Sequence, residues 1–283
     1  MKFPTHSLKN EKIEKNNLTE SRNLFRKLWI NGKGCPKGTV PIRKYTKDAF
    51  IHAKLFQESY STSSAHPNDW NENIAVAFGQ VGGERYNGGG VTFGVYNFPI
   101  KDNQYSFSQL SIARLPDFLR TGWTIGDKSC YNLLCASFVV LRPDIPVDGI
   151  LQPRTDGPRE MQFIIGRTSG AQWYVQLETA IVGFWPPDLF SGLADLADAV
   201  EWGGAVLTVN GEPGPGMGAG WRPVSDSISD GYGRFVSVID DQNNVVQAGA
   251  LAVYRSDNVY EFHDLGFVRD NGHLIYYGGP GHQ

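Results

Sequence analysis

From Ile74 to Asn97 the chain reads IAVAFGQVGGERYNGGGVTFGVYN. Two runs rich in β-branched and aromatic residues, Ile74 to Gln80 and Gly90 to Asn97, flank a glycine-rich segment, the pattern of short strands divided by turn residues. Because the glycines lead into a strand pattern, they lack the helix N-terminus of a phosphate cradle and predict a hairpin loop. Runs of the same kind occupy 106–113, 136–141, 161–166, 172–177, 180–184, 205–209, 233–240, 250–254 and 266–269. Many short strands at close spacing predict an all-β fold, an antiparallel β-sandwich. One segment departs from this period. Leu189, Phe190, Leu193, Leu196, Ala197 and Val200 recur at three- and four-residue spacing after Trp185-Pro186-Pro187-Asp188, which predicts one short amphipathic helix. Asn210 to Gly220, rich in glycine and proline, predicts a mobile loop.

Composition agrees with this class. The 283 residues are 41% hydrophobic and 12% aromatic, with 33 glycines and 16 prolines against 3 methionines. That supports a large core and frequent turns rather than long helices. A net charge of −3 and a pI near 6.1 provide no basic field for nucleic acid. No run of about 18 apolar residues is present to cross a membrane.

Residues 1–68 read as an N-terminal leader, polar and mixed in charge, partly irregular, around the island Leu28-Trp29-Ile30. The β domain is expected over 69–283, with the Ser-, His-, Pro- and Asn-rich stretch from Tyr60 to Asp69 as the linker. The first twenty residues lack the apolar stretch of a secretory signal. Asn17-Leu18-Thr19 is nevertheless a glycosylation acceptor pattern, and the close cysteines Cys130 and Cys135 suit an oxidising compartment.

Familiar catalytic constellations are missing. There is no Gly-x-Ser-x-Gly elbow, and the 6 histidines show no metal-ligand spacing. No metal or organic cofactor is expected. Cys130 and Cys135 stand too far apart for a thioredoxin-like pair and lack the further ligands that zinc requires. Most tryptophans read as core. Trp123 after Gly122, and Trp202 before Gly203-Gly204, also fit a strand whose glycines let a ligand backbone approach.

At these residues the chain resembles the neprosin family. Lys27 to Gly32 and Cys35 to Arg43 are similar to the end of that family's activation peptide. Gly79 to Tyr86, Phe107 to Leu110, Cys130 to Cys135, Val182 to Pro186, Trp202 to Gly204, Met217 to Gly220 and Tyr276 to Gly281 follow in the family's order. The resemblance implies a secreted plant protein with an antiparallel β-sandwich and a cleft across one sheet. Cys130 and Cys135 would form a local disulfide. Active members are glutamic endopeptidases that cut next to proline under acidic conditions, without metal. One glutamate activates water while the other stabilises or protonates the tetrahedral intermediate, which requires one carboxyl to stay protonated as the other ionises.

Both glutamate positions are altered. The family's Glu-Ala-Gly-Trp corresponds to Arg120-Thr121-Gly122-Trp123, and its second glutamate, after Trp-Gly-Gly, corresponds to Ala205. Glu201 is a substitute acid of the same strand parity as Ala205, but four residues of strand separate them by roughly 13 Å at about 3.3 Å per residue. The sequence therefore predicts a catalytically impaired member. It would retain a cleft for a proline-containing peptide or cell-wall protein, lined by Trp123, Trp202, Gly203, Gly204 and Arg120, the last favouring an acidic ligand. The alternative is an active endopeptidase with relocated acids.

Overall fold

The computed structural model describes residues 36, 39, 74–101, 104–125, 138–142, 144–145, 147, 159–208, 212–225 and 229–282. The leader apart from Pro36 and Thr39, Asn17, Cys130 and Cys135 all lie outside these residues. The described chain is a curled antiparallel sheet that folds into a β-sandwich-like body. Its strands are β1 Ile74–Val95, β2 Gln104–Arg114, β3 Asp117–Ile125, β4 Val139–Val140, β5 Arg159–Arg167, β6 Trp173–Leu177 and β7 Ala180–Trp185. They continue as β8 Ala197–Thr208, β9 Tyr232–Asp240, β10 Val245–Gln247, β11 Ala252–Arg255, β12 Glu261–Val268 and β13 Gly272–Gly278. No helix among the described residues is long and apolar enough to cross a membrane.

The expected hairpin loop at 82–90 does not exist. Both flanking runs belong to one strand, β1, of 22 residues. Its first part pairs with β8 and β11, and its second part with β5 and β9. The register shifts between Gly82 and Tyr86, and again between Tyr86 and Gly88, so bulges bend the strand where it changes partners. Glycine is needed here for space rather than for a turn. A Cβ at Gly88 would lie 2.0 Å from the carbonyl oxygen of Ile165, and one at Gly89 would lie 2.6 Å from Val200 Cγ1.

The amphipathic helix is also absent. Residues 187–189 form a single 3-10 turn, the chain then runs irregularly, and Ala197 already begins β8. The apolar spacing is satisfied differently, because Leu193 and Val200 enter the core from a loop and a strand. A tertiary contact consumes the backbone donors that a helix would need. Asp117 Oδ2 accepts the N–H groups of Ser191 (2.7 Å), Gly192 (2.7 Å) and Leu193 (3.1 Å). Gly192 permits the approach, since a Cβ there would meet the carbonyl oxygen of Arg114 at 2.1 Å. Nor does the glycine-rich loop stand free at its far end. Met217 is fully buried and bridges to Gly279.

One large core holds the sheet layers together, drawing on Phe93 of β1, Leu110 of β2, Phe163 of β5, Trp202 of β8 and Tyr277 of β13. Alternation along β8 sends Val200, Trp202 and Val206 into it. Buried indoles then tie layers by hydrogen bonds that satisfy their single donor. Trp202 Nε1 donates to Gly90 O (3.1 Å), Trp123 Nε1 to Gly94 O (2.9 Å) and Trp173 Nε1 to Leu193 O (2.7 Å). Gly203 and Gly204 belong to the same packing. A Cβ at Gly204 would press on Met217 at 2.6 Å and Tyr277 at 2.9 Å, and one at Gly203 would lie 2.3 Å from Ala77 O. Because that last neighbour is backbone, Gly203→Ala is expected to lower stability by about 3 kcal/mol, the upper end of overpacking costs. Denaturant unfolding of parent and variant checks this, and an unchanged midpoint would remove the packing account of Gly203.

Candidate functional site

The strands β3, β2, β8 and β1 lie side by side in that order, with direct register between neighbours. The face of β8 turned away from the core carries Glu201, Gly203 and Ala205. Their cross-strand partners define rows. Arg120 pairs with Ser111, Ser111 with Glu201, and Glu201 with Gln80. The next row on this face is Gly122, Gln109, Gly203 and Phe78, followed by Thr124, Phe107, Ala205 and Val76.

This register revises the relation expected between positions 120 and 205. Arg120 does not stand in the row of Ala205. The two are four residues out of step and two strands apart, or roughly 13 Å along and roughly 10 Å across at ordinary strand spacings. Ala205 is fully buried between Phe107 and Val76, both also buried, so its surroundings are apolar. Arg120 shares its row with Glu201 instead. The acid that seemed too distant to matter is thus the one beside position 120.

The row is polar and electrostatically coupled. Glu201 is partly buried, and burial raises its carboxyl above the ordinary range, with the Arg120 charge and a hydrogen bond from Ser111 opposing that rise. The guanidinium carbon of Arg120 lies 4.1 Å from the centroid of the Phe118 ring. Gln80, partly exposed, flanks Glu201 on the other side. Ser111 and Gln80 were missed by sequence reasoning. Their signal is parity, because Gln109 and Ser111 alternate with Leu110 and Ile112, polar residues on the face opposite a core stripe.

The other residues expected to line a cleft are occupied by the fold. Trp123 and Trp202 are 7% and 0% exposed, so neither indole offers a surface to a ligand. The close backbone approach predicted at Gly203 and Gly122 does occur, but to the protein's own chain, whereas the space at Gly204 is filled by the Met217 and Tyr277 side chains. A Cβ at Gly122 would sit 1.9 Å from the Ser108 carbonyl oxygen. Among the described residues no group of three or more His, Cys, Asp and Glu side chains could hold a metal ion.

The fold and the motifs together define a class of β-rich, sandwich-like proteins. The sequence profile described as Neprosin matches residues 117–280, more than half of the chain. The chain therefore belongs to the neprosin family. Among solved structures it is similar to SCP-B, a member of the eqolisin family of peptidases in complex with the tripeptide Ala-Ile-His. That match has 13% identity, covers 72% of this chain and 96% of that one, and has a TM-score of 0.38. It is also similar to Scytalido-glutamic peptidase with a peptide-based transition-state analogue, at 14% identity, 73% and 97% coverage and a TM-score of 0.37.

Because burial raises the Glu201 carboxyl, folding favours its protonated form. The stability it contributes is intact below the ordinary carboxylate range and is lost as pH rises through the elevated folded value. Glu201→Gln, which stays neutral throughout, should therefore be more stable than the parent at pH 7, with the gap closing near about pH 4. Thermal unfolding of the two proteins across this range checks the sign. A gap that widens toward acid would show that the Arg120 attraction outweighs burial.

Proposed function

We propose that this chain is a peptide-binding member of the neprosin family whose hydrolytic step is impaired, with the partly exposed Arg120, Glu201 and Gln80, on one face of β3, β2, β8 and β1, as the peptide contact. One observation carries the reading. Glu201 is the one carboxyl in the three described rows of that face, and its row contains Arg120 where a pair would require a second acid. Paired-carboxyl hydrolysis needs a protonated group that can donate and an ionised one that can accept. A guanidinium stays charged at every accessible pH and has no proton to give in such a step. Its charge opposes the rise that burial gives Glu201, and a single carboxyl cannot serve as proton donor and proton acceptor at once.

The ligand class that fits is an extended, proline-containing peptide or a segment of a cell-wall protein outside the cell. Arg120 would favour an acidic residue at the position over its row. A second reading rests on the same contact. Glu201, raised by burial, would serve as general base while Arg120 stabilises the oxyanion, giving slow acid-range hydrolysis.

Calorimetric titration with a proline-rich peptide bearing one aspartate should saturate, and Arg120→Ala should weaken it by about tenfold if the guanidinium meets that carboxylate in a partly dry site. A fluorogenic proline-containing peptide should remain uncut at acidic pH. Turnover abolished by Glu201→Gln would instead establish the second reading, and absence of both saturation and turnover would defeat the two together.

A further inference from the structure

Three arginines converge at the turn that leads into β8. Arg85 on β1 and Arg114 at the end of β2 both pair with the same oxygen, Asp195 Oδ2, the latter at 3.0 Å. Arg114 also donates to Leu196 O at 3.2 Å, and Arg167, from the end of β5, donates to Ala194 O at 2.6 Å. Arg167 lies within electrostatic reach of both Asp195 and Arg85. Among the described residues, Asp195 is the one acid ion-paired with this group, so three positive charges meet one negative charge.

The donors are also under-used. Each guanidinium offers five N–H groups in a fork matched to two carboxylate oxygens. Asp195 gives the two arginines a single oxygen, because Oδ1 is turned back to the N–H of Leu196 at 2.7 Å. Arg167 keeps a buried Nε with no hydrogen-bond partner among the described residues. The site remains open to solvent, with the side chains of Asp195 58%, Arg85 42% and Arg114 30% exposed.

We infer that Arg85, Arg114 and Arg167 form a carboxylate-binding site in which Asp195 is the resident stand-in for a ligand carboxylate. An incoming carboxylate with both oxygens free takes the place of Asp195 Oδ2 between Arg85 and Arg114, with Arg167 adding charge behind them. The ligand class is a peptide carboxylate, whether the C-terminus or an acidic side chain. This site is independent of the peptide face, because it needs neither Glu201 nor Arg120.

The test uses the full chain and glutarate as a minimal probe, followed by arginine Nε–Hε resonances and calorimetry. Saturable binding is expected, weakened about tenfold by Arg114→Gln, the loss of one charge-assisted contact. Asp195→Asn retains the Oδ1 acceptor while removing the competing charge, so it should tighten glutarate binding by about threefold. A merely structural carboxylate would not produce that gain. Should Arg114→Gln fail to fold, the more exposed Arg85→Gln carries the same expectation. Comparing a proline-containing peptide as its free acid, as its amide and as an amide with an internal aspartate separates the two carboxylate sources. A response that never saturates, or that is unchanged by Asp195→Asn and by both arginine variants, overturns the site. Peptide binding lost in the arginine-site variants but unchanged by Arg120→Ala would defeat the peptide-face reading alone. Glutarate binding with no saturation by any of the three peptides would overturn the peptide carboxylate as the ligand of the arginine site.

Discussion

The architecture depends on one strand passing from one pairing environment to another without a break. β1 donates its first half to β8 and β11 and its second half to β5 and β9. Every buried backbone group along it must remain paired through the change. The glycines at 88 and 89 make this possible, because neighbouring backbone and the Val200 side chain fill the space that a Cβ would need. From this passage follow the bend in the sheet, the placement of β8 beside β2, and the enclosure of the core. The indoles of Trp123 and Trp202 hydrogen bond to β1 carbonyls on the same stretch, so the strand is anchored where it carries most partners.

The site inherits its geometry from that frame. Direct register between β3, β2 and β8 decides that Arg120 meets Glu201 through Ser111, while Ala205 lies in an apolar row further along. The chemistry of the face is therefore that of a carboxylate beside a guanidinium. Such a pair binds and orients polar ligands well, but it does not provide two groups exchanging roles as acid and base.

Much of this was legible from residue pattern. Most strands matched alternating apolar runs, and the family motifs located β3 and β8. The errors share a physical origin in contacts between residues far apart in sequence. The glycines of 82–90 have the composition of a turn, yet the crowding that requires them comes from Ile165 and Val200. The spacing from Leu189 to Val200 fits a helix, but Asp117 captures the backbone donors of residues 191–193. β10 and β13 were not foreseen as strands, and β3 was met through the Gly122-Trp123 motif alone, not as an apolar run. β10 has three residues, β3 carries Arg120 and Gly122 amid its apolar positions, and β13 is bounded by glycines. Trp-Gly-Gly suggested a ligand approach. The approaching backbone belongs to Ala77 and Phe78, a distinction that composition alone does not hold.

The carboxylate of Asp117 has a consequence beyond the loop it organises. By holding residues 191–193, it joins the turn between β2 and β3 to the segment that delivers β8. The strands bearing Arg120 and Glu201 thus share a clamp at one end, and neither turn can lengthen or slide alone. Across related sequences these two segments are expected to drift as one inherited block, with changes at position 117 accompanied by changes at 191–193. Diversity in ligand choice would then arise at the opposite ends of the strands, where no such tether constrains the chain.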